Sequence, residues 1–360
     1  MVALHPLSQT HPIQEGDRRA RAALVRVVLI AGLAFAILLG LGWGAAGDTD
    51  VLGALAAGLG WGEASLRDMT IVWDIRMPRV LTATLVGAAL AVSGAVMQGL
   101  FRNPLADPGL VGVSAGAGFG AVAAIVLGGF LPAAVASMTS IYLVPFAAFL
   151  GGWASTLILY RIATRGGQTS VATMLLAGIA MGALTGALTG LIVYKADDSQ
   201  LRDLTFWGMG SVAGATWHKI MIAGPIIALT LFTAPFLARS LDALALGEPV
   251  AHHMGIDTQK MKRIAIISVA ASVGASVAIT GGIGFVGIVV PHLLRLLQGP
   301  EHRNLLPNAA LLGAVVVLLA DMVSRVVVAP AELPIGIVTA CLGGPFFLWI
   351  LLKNRSLLEA

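Results

Sequence analysis

Charge-free apolar stretches of membrane-crossing length limit what this chain can fold into more than any other feature. A hydrocarbon core of about 30 Å is crossed by about 20 residues of α-helix. Inside it every backbone amide must find its partner within the protein, which leaves helices or closed barrels. Such stretches cover residues 27–47, 80–101, 166–194, 219–237, 304–320 with a few residues beyond, and 333–352. Two others, 108–160 and 264–294, are too long for one crossing. Gly128, Gly129, Pro132 and Pro145 divide the first. Gly281-Gly282-Ile283-Gly284 divides the second into two short crossings. The count is ten helices. Only 11% of the 360 residues are charged and 58% are hydrophobic, whereas a soluble domain carries about 25% charged residues. The chain therefore reads as an all-α membrane protein. It is expected to have a polar tail over 1–23 and one ten-helix domain over 24–355.

The basic residues orient it. Lys and Arg accumulate in cytoplasmic loops. With the N-terminus inside, fifteen of the 22 Lys and Arg fall on cytoplasmic segments, and both termini lie there. The net charge of +4 is thus a topology signal and gives no reason to invoke nucleic acid. The first apolar run follows a basic stretch but has no small-residue cleavage site after it, so it reads as a retained helix. Trp43, Trp153 and Trp349 stand near helix ends, where an amphipathic ring belongs. Gly178, Gly182, Gly186 and Gly190 form one stripe, which lets a neighbouring backbone approach.

Several patterns carry no chemistry. Gly112-Val113-Ser114-Ala115-Gly116 matches a nucleophile elbow, yet no strand precedes it. Gly282-Ile283-Gly284-Phe285-Val286-Gly287 matches a dinucleotide fingerprint, yet it follows a membrane helix and reads as a helix break. The chain has no Gly-Lys dipeptide and hence no phosphate loop of that kind. Asp321 is the one acid near a span interior, so no intramembrane relay for an ion-coupled secondary transporter emerges. Adjacent His252 and His253 point about 100° apart on a helix, and His292 after Pro291 reads as a packing residue. Lone Cys341 reads as an apolar filler.

One hydrophilic segment, residues 239–263, stands out. Apolar residues recur there at three- and four-residue steps until Gly247 and Pro249 interrupt them. The pattern predicts two short amphipathic helices with a turn on the cytoplasmic side. Such a pair can lie on the lipid interface; the preferred reading is that Leu244, Leu246, Gly247, Glu248, Ala251 and Met254 form a docking surface for a cytoplasmic protein.

Specific wording runs through residues 70–355. It includes Arg76-Met77-Pro78-Arg79, Arg102-Asn103-Pro104-Leu105-Ala106-Asp107-Pro108-Gly109, Leu175-Leu176-Ala177-Gly178, Leu244-Ala245-Leu246-Gly247-Glu248 and Glu332-Leu333-Pro334-Ile335-Gly336. In this wording the chain resembles the permease subunits of type II ABC importers, the FecCD-like family that takes up vitamin B12, ferric siderophores and haem. Phe101–Gly109, Phe206-Trp207-Gly208-Met209-Gly210-Ser211 and Ala215-Thr216-Trp217 resemble the haem branch most, the B12 branch next and the siderophore branch less.

The resemblance implies a permease homodimer in the bacterial inner membrane, two cytoplasmic ATPase subunits and a periplasmic binding protein. ATP and Mg would reside on the ATPases, no cofactor on this chain, and haem would be the cargo. Segment 244–254 would be the ATPase coupling surface. Asn103 and Leu105, with Thr169 and Thr173 as a second element, would close the cytoplasmic gate. Arg76, Arg79 and Arg325 lie at the outer ends of their spans by topology. The resemblance makes them the docking site for glutamates of the binding protein.

Overall fold

The computed structural model describes residues 15–43, 49–130, 142–166 and 168–353. Its helices are α1 (Glu15–Gly42), α2 (Val51–Gly58), α3 (Leu66–Met69), α4 (Met77–Phe101), α5 (Val113–Leu127), α6 (Leu143–Ala163), α7 (Val171–Val193), α8 (Asp198–Met209), α9 (Trp217–Ala245), α10 (Glu248–His253), α11 (Thr258–Thr280), α12 (Val286–Gln298), α13 (His302–Val326) and α14 (Ile335–Lys353). A π-helical stretch, Thr70–Arg76, joins α3 to α4. Among the described residues seven helices are long and apolar enough to cross a membrane. Val113–Leu127, Val286–Gln298 and Ile335–Ile350 are shorter apolar helices. The chain is a multi-pass helical membrane protein.

Helix starts follow local chemistry. Ser170, Thr216 and Asp257 each accept a backbone amide of the first turn of α7, α9 and α11. Such caps satisfy amides that have no partner inside the helix. Asp197 and Gln200 close a capping box at α8. The Asp197 carboxylate, which accepts the Gln200 and Ser199 donors, is held below the usual carboxylate range.

Helix α4 is the axis of the molecule. Nearly all of it is buried, and α9, α11, α12 and α13 surround it. Glycines set these approaches. A methyl group at Gly87 would overlap the Gly313 carbonyl of α13, and one at Gly94 would overlap the Gly287 carbonyl of α12. The α5–α6 pair repeats the device at Gly116 against Gly151 and Gly120 against Ala147. Close backbone packing of small residues is the usual means of helix association in lipid. Helices α1 and α7, by contrast, expose most of their surface, including Val27, Phe35, Leu176 and Ile179.

Several boundaries differ from the sequence reading. Helix α1 begins at Glu15, so residues 15–23 are its first turns and not tail; their basic groups are compatible with helix. Residues 1–14, the rest of the expected tail, lie outside the described residues, as does Pro132. Pro145 sits in the first turn of α6 and does not divide two helices. The break at 281–285 leaves a full-length α11 and a short α12, where two short helices were expected. Before Gly247 there is no separate short helix: α9 runs unbroken to Ala245, and α10 alone is short. The amphipathic repeat there continues the period of α9, and only Gly247, at φ +108°, ends it. The stripe glycines Gly182, Gly186 and Gly190 face open space. Cys341 is exposed, so it fills no internal gap. His292 packs edge-on against Phe346, with ring centroids 6.1 Å apart.

Replacing Gly87 or Gly313 with Leu should destabilise the fold by about 1–3 kcal/mol or more through overpacking. Gly32→Leu on exposed α1, where nothing lies within 4 Å, should leave the unfolding midpoint unchanged. Thermal unfolding in detergent compares the three. An equal loss at Gly32 would show that close approach is not what Gly87 and Gly313 provide.

Candidate functional site

Two polar constructions cap opposite ends of the helix bundle. The first joins α1, α4 and α13. Asp321 on α13 is fully buried, and Arg325 follows one turn later. Arg79 Nε donates to Asp321 Oδ1 at 2.9 Å and Oδ2 at 3.2 Å, and its Nη2 lies 2.8 Å from Oδ1. Arg79 Nη1 reaches Glu332 at 2.8 Å. Arg325 pairs with Asp321 and donates to the Gly40 carbonyl at 3.1 Å. Arg76 Nη1 donates to the carbonyls of Leu41 at 2.6 Å and Gly42 at 3.0 Å. The guanidiniums thus satisfy carbonyls at the end of α1 that have no partner inside the helix. Cations are favoured at that end.

In the folded chain Arg76, Arg79 and Arg325, the expected docking groups, are turned inward. They are 4%, 7% and 7% exposed. A buried carboxylate needs countercharge and hydrogen bonds, and Asp321 draws Arg79 and Arg325 inward. Glu332, with 42% of its side chain exposed, is the open charged member of the group. Arg76 Nη2 and Arg325 Nε have no partner among the described residues.

The second construction lies at the other end. Arg102 leaves α4 in the left-handed region at φ +50°. Asn103 Oδ1 then accepts the Leu105 amide at 2.9 Å, and Asp107 Oδ1 accepts the Gly109 amide at 2.7 Å. The first holds the chain around Pro104, and the second is the cap of a single 3-10 turn, Pro108–Val111, that Pro108 begins. Asn103 is exposed and Leu105 half-buried. After α6, a two-stranded ribbon pairs Thr164 with Thr169 and Arg165 with Gln168. Thr169 is buried. Its amide donates to Gln259 Oε1 at 2.9 Å, and its carbonyl accepts Lys262 Nζ at 3.0 Å. Lys262 also pairs with Glu248 at 2.7 Å. Thr173 is exposed and bonds to Ser170.

Within one chain the four expected gate residues do not converge. Asn103 borders a cavity with Arg295 and His302, whereas Thr169 and Thr173 border a separate cleft with Glu248 and Gln259. Thr169 acts as a structural anchor, because its backbone and Lys262 satisfy one another.

The expected coupling residues also divide. Leu244 and Ala251 are buried in the chain's own core and offer nothing to a partner. Leu246 and Met254 are 67% and 47% exposed. Gly247 supplies the positive φ of the turn, and Glu248 holds Lys262. Val250, 42% exposed beside them, lies inside the expected segment but is not among the residues singled out from it, and Lys262 has no expected role there. The recurring apolar spacing contained the signal for Val250. Nothing local marked Lys262, whose partners come from two other elements.

Between the two constructions, both helix breaks face one cavity of about 300 Å³, lined by Asp107, Ser114, Trp207, Gly284 and Phe285 among others. The end of α8 closes on the second break, where the Ser211 amide donates to the Thr280 carbonyl at 2.7 Å. Irregular backbone at membrane depth is tolerated where protein or a cavity surrounds it.

Residues 29–353 match the FecCD transport family. The hemin transport system permease protein of Yersinia pestis is 46% identical over 286 residues, covering 79% of this chain and 84% of that protein. The vitamin B12 import system permease protein of Salmonella typhi is 45% identical over 291 residues, covering 81% and 86%. A solved structure described as a metal-chelate type ABC transporter in an inward-facing conformation superposes with a TM-score of 0.80 at 31% identity, over 92% of this chain and 99% of that one.

Asp321→Asn should cost about 3–5 kcal/mol, because it leaves two buried guanidiniums without their countercharge. Glu332→Gln, at a half-open partner, should cost about 1 kcal/mol or less. Unfolding midpoints and membrane yield measure both. Equal effects would place the anchor of the network elsewhere than at Asp321.

Proposed function

The chain belongs to the FecCD transport family and is the permease of an ABC importer; from that premise we propose that its cargo is haem, delivered by a periplasmic binding protein and driven across the bacterial inner membrane. The observation that carries the cargo reading is the 46% identity to a hemin transport permease across 79% of this chain. Vitamin B12 is the second reading, favoured by 45% identity to a B12 import permease over 81% of the chain. Both cargoes are large, compact metal chelates. A path for such a ligand requires contacts weak enough for release, as in channels.

In this reading all ten apolar helices cross the bilayer, with both termini cytoplasmic. Two copies of the chain form the path between them, and two ATPase subunits bind below. ATP and Mg reside on those subunits in this reading, which is supported by the lack of a Gly-Lys phosphate-loop dipeptide in this chain. The ATPases dock on Leu246, Val250 and Met254, the exposed apolar positions around α10. Asn103 and Leu105 of one chain meet those of its partner to close the inner end of the path. At the outer end the binding protein approaches Glu332, and an incoming carboxylate displaces it from Arg79. Arginine's planar fork suits such an exchange between carboxylates.

The test reconstitutes the permease with its ATPase and binding protein in liposomes and follows ATP-dependent accumulation of hemin and of cobalamin. Hemin uptake with little cobalamin uptake is expected. The reverse would replace haem with B12. In the same system Gly247→Leu, which forces a bulky side chain into φ +108°, should leave ATP hydrolysis in place and cut uptake roughly tenfold, the equivalent of about 1.4 kcal/mol in coupling. Unchanged uptake per ATP would remove α10 from the coupling surface.

A further inference from the structure

We propose that the cavity among α1, α4, α12 and α13 binds the phosphate of an anionic phospholipid of the cytoplasmic leaflet. The cavity holds about 700 Å³. Arg18 and Arg19 reach it from the start of α1, Arg102 from the end of α4 and Arg295 from α12. Among the described residues, none of these four has a carboxylate partner. Arg295 donates to a neutral group, Gln98 Oε1, at 2.5 Å. The two carboxylates on the rim are engaged: Asp242 Oδ1 accepts the His302 amide at 2.9 Å and lies 2.7 Å from its Nδ1, and Glu301 accepts Asn304 Nδ2 at 3.0 Å.

A buried donor supplies the second observation. Gln298, which lines the cavity, is 5% exposed. Its Oε1 accepts from Asn308, which fixes the amide, and its Nε2 has no partner among the described residues. A buried donor without an acceptor is costly, and a small turn of the Gln298 side chain would bring the enclosed Nε2 to a phosphate oxygen in the cavity it lines. Four guanidinium groups supply the charge, and guanidinium suits phosphate geometry.

The surroundings favour lipid over an acidic protein segment. Leu296 and Leu297, next to Arg295 in sequence, are 62% and 59% exposed. Leu24, Val27 and Val28 of α1 continue the apolar surface at 61–64% exposure. Acyl chains can lie on these residues while the headgroup enters the cavity, whereas an acidic peptide would lay its charges along them. The cytoplasmic placement comes from the positive-inside bias, and basic pockets between helices on that side suit anionic headgroups. The proposal requires that the chain span the membrane with this end at the cytoplasmic face and is independent of the cargo.

The full-length permease in detergent is titrated with phosphatidylglycerol, phosphatidylcholine or inorganic phosphate, and thermal unfolding is followed. Phosphatidylglycerol should raise the midpoint by roughly 3–5 °C, as expected for a ligand that binds the folded state alone. Phosphatidylcholine and inorganic phosphate should not. Arg18→Gln with Arg102→Asn should remove about half or more of that shift, since bound-state stabilisation follows affinity. Asn tolerates the left-handed conformation of position 102, so the variant should fold. Arg161→Gln, at an exposed basic residue of α6 outside the cavity, should keep the full shift. Equal stabilisation by phosphatidylcholine, no shift with phosphatidylglycerol, or a full shift in the double variant would each overturn the proposal. A shift with inorganic phosphate alone would make it a free-phosphate site and overturn the lipid assignment.

Discussion

Close contact between backbones around α4 is the constraint on which the rest of the bundle depends. In lipid, helices gain little from burying apolar side chains against one another, because acyl chains are equally apolar. What remains is van der Waals contact, which falls off steeply with separation. Gly87 against Gly313 and Gly94 against Gly287 allow that contact to form. The same glycines place the ends of α12 and α13 so that Gln98 of α4 lies within reach of Arg295, and its amide at 3.3 Å from the Gly287 carbonyl. Small residues in mid-helix thus decide which polar groups meet at the helix ends.

Those polar groups then set the ends. At one end the Asp321 network ties α1, α4 and α13 together. At the other, Arg26 of α1 donates to Asn308 and Asn304 of α13, each at 3.1 Å. Helix α1 exposes most of its surface, but one face packs on the core through Leu29, Leu33, Ala36, Ile37 and Leu41. Hydrogen bonds at Arg26 and at its C-terminal end add to that contact and are strong because the sites are partly dry.

The sequence made the architecture legible, since chain length between breaks and the bilayer's thickness are simple geometry. Gly128 and Gly281 ended helices where glycine clusters said they should. The amphipathic repeat around Leu244 misled, because a repeat of that period cannot distinguish a separate surface helix from the last turns of α9. The arginine network was hidden for another reason. Arg79 and Asp321 stand 242 residues apart, and no local pattern announces that pairing. Their place at the ends of apolar stretches was legible, but their burial depends on a partner that only the folded chain supplies. Thr169 shows the same limit, because its role is set by Lys262, 93 residues away.

These long-range ties bear on how work done on one end could reach the other. Glu248 on α10 and the Thr169 carbonyl of the ribbon both hold Lys262, the fifth residue of α11. A displacement of α10 therefore moves the start of α11 and the end of the ribbon together. Helix α11 is a continuous rod up to Thr280, where its break faces the Asp107 turn across the central cavity. If α10 is the surface that the ATPases grip, the permease needs no flexible relay. The lashed helix can tilt as a unit, and the glycine breaks at 281–285 and the proline-rich turn at 104–108 are where the backbone can absorb the motion.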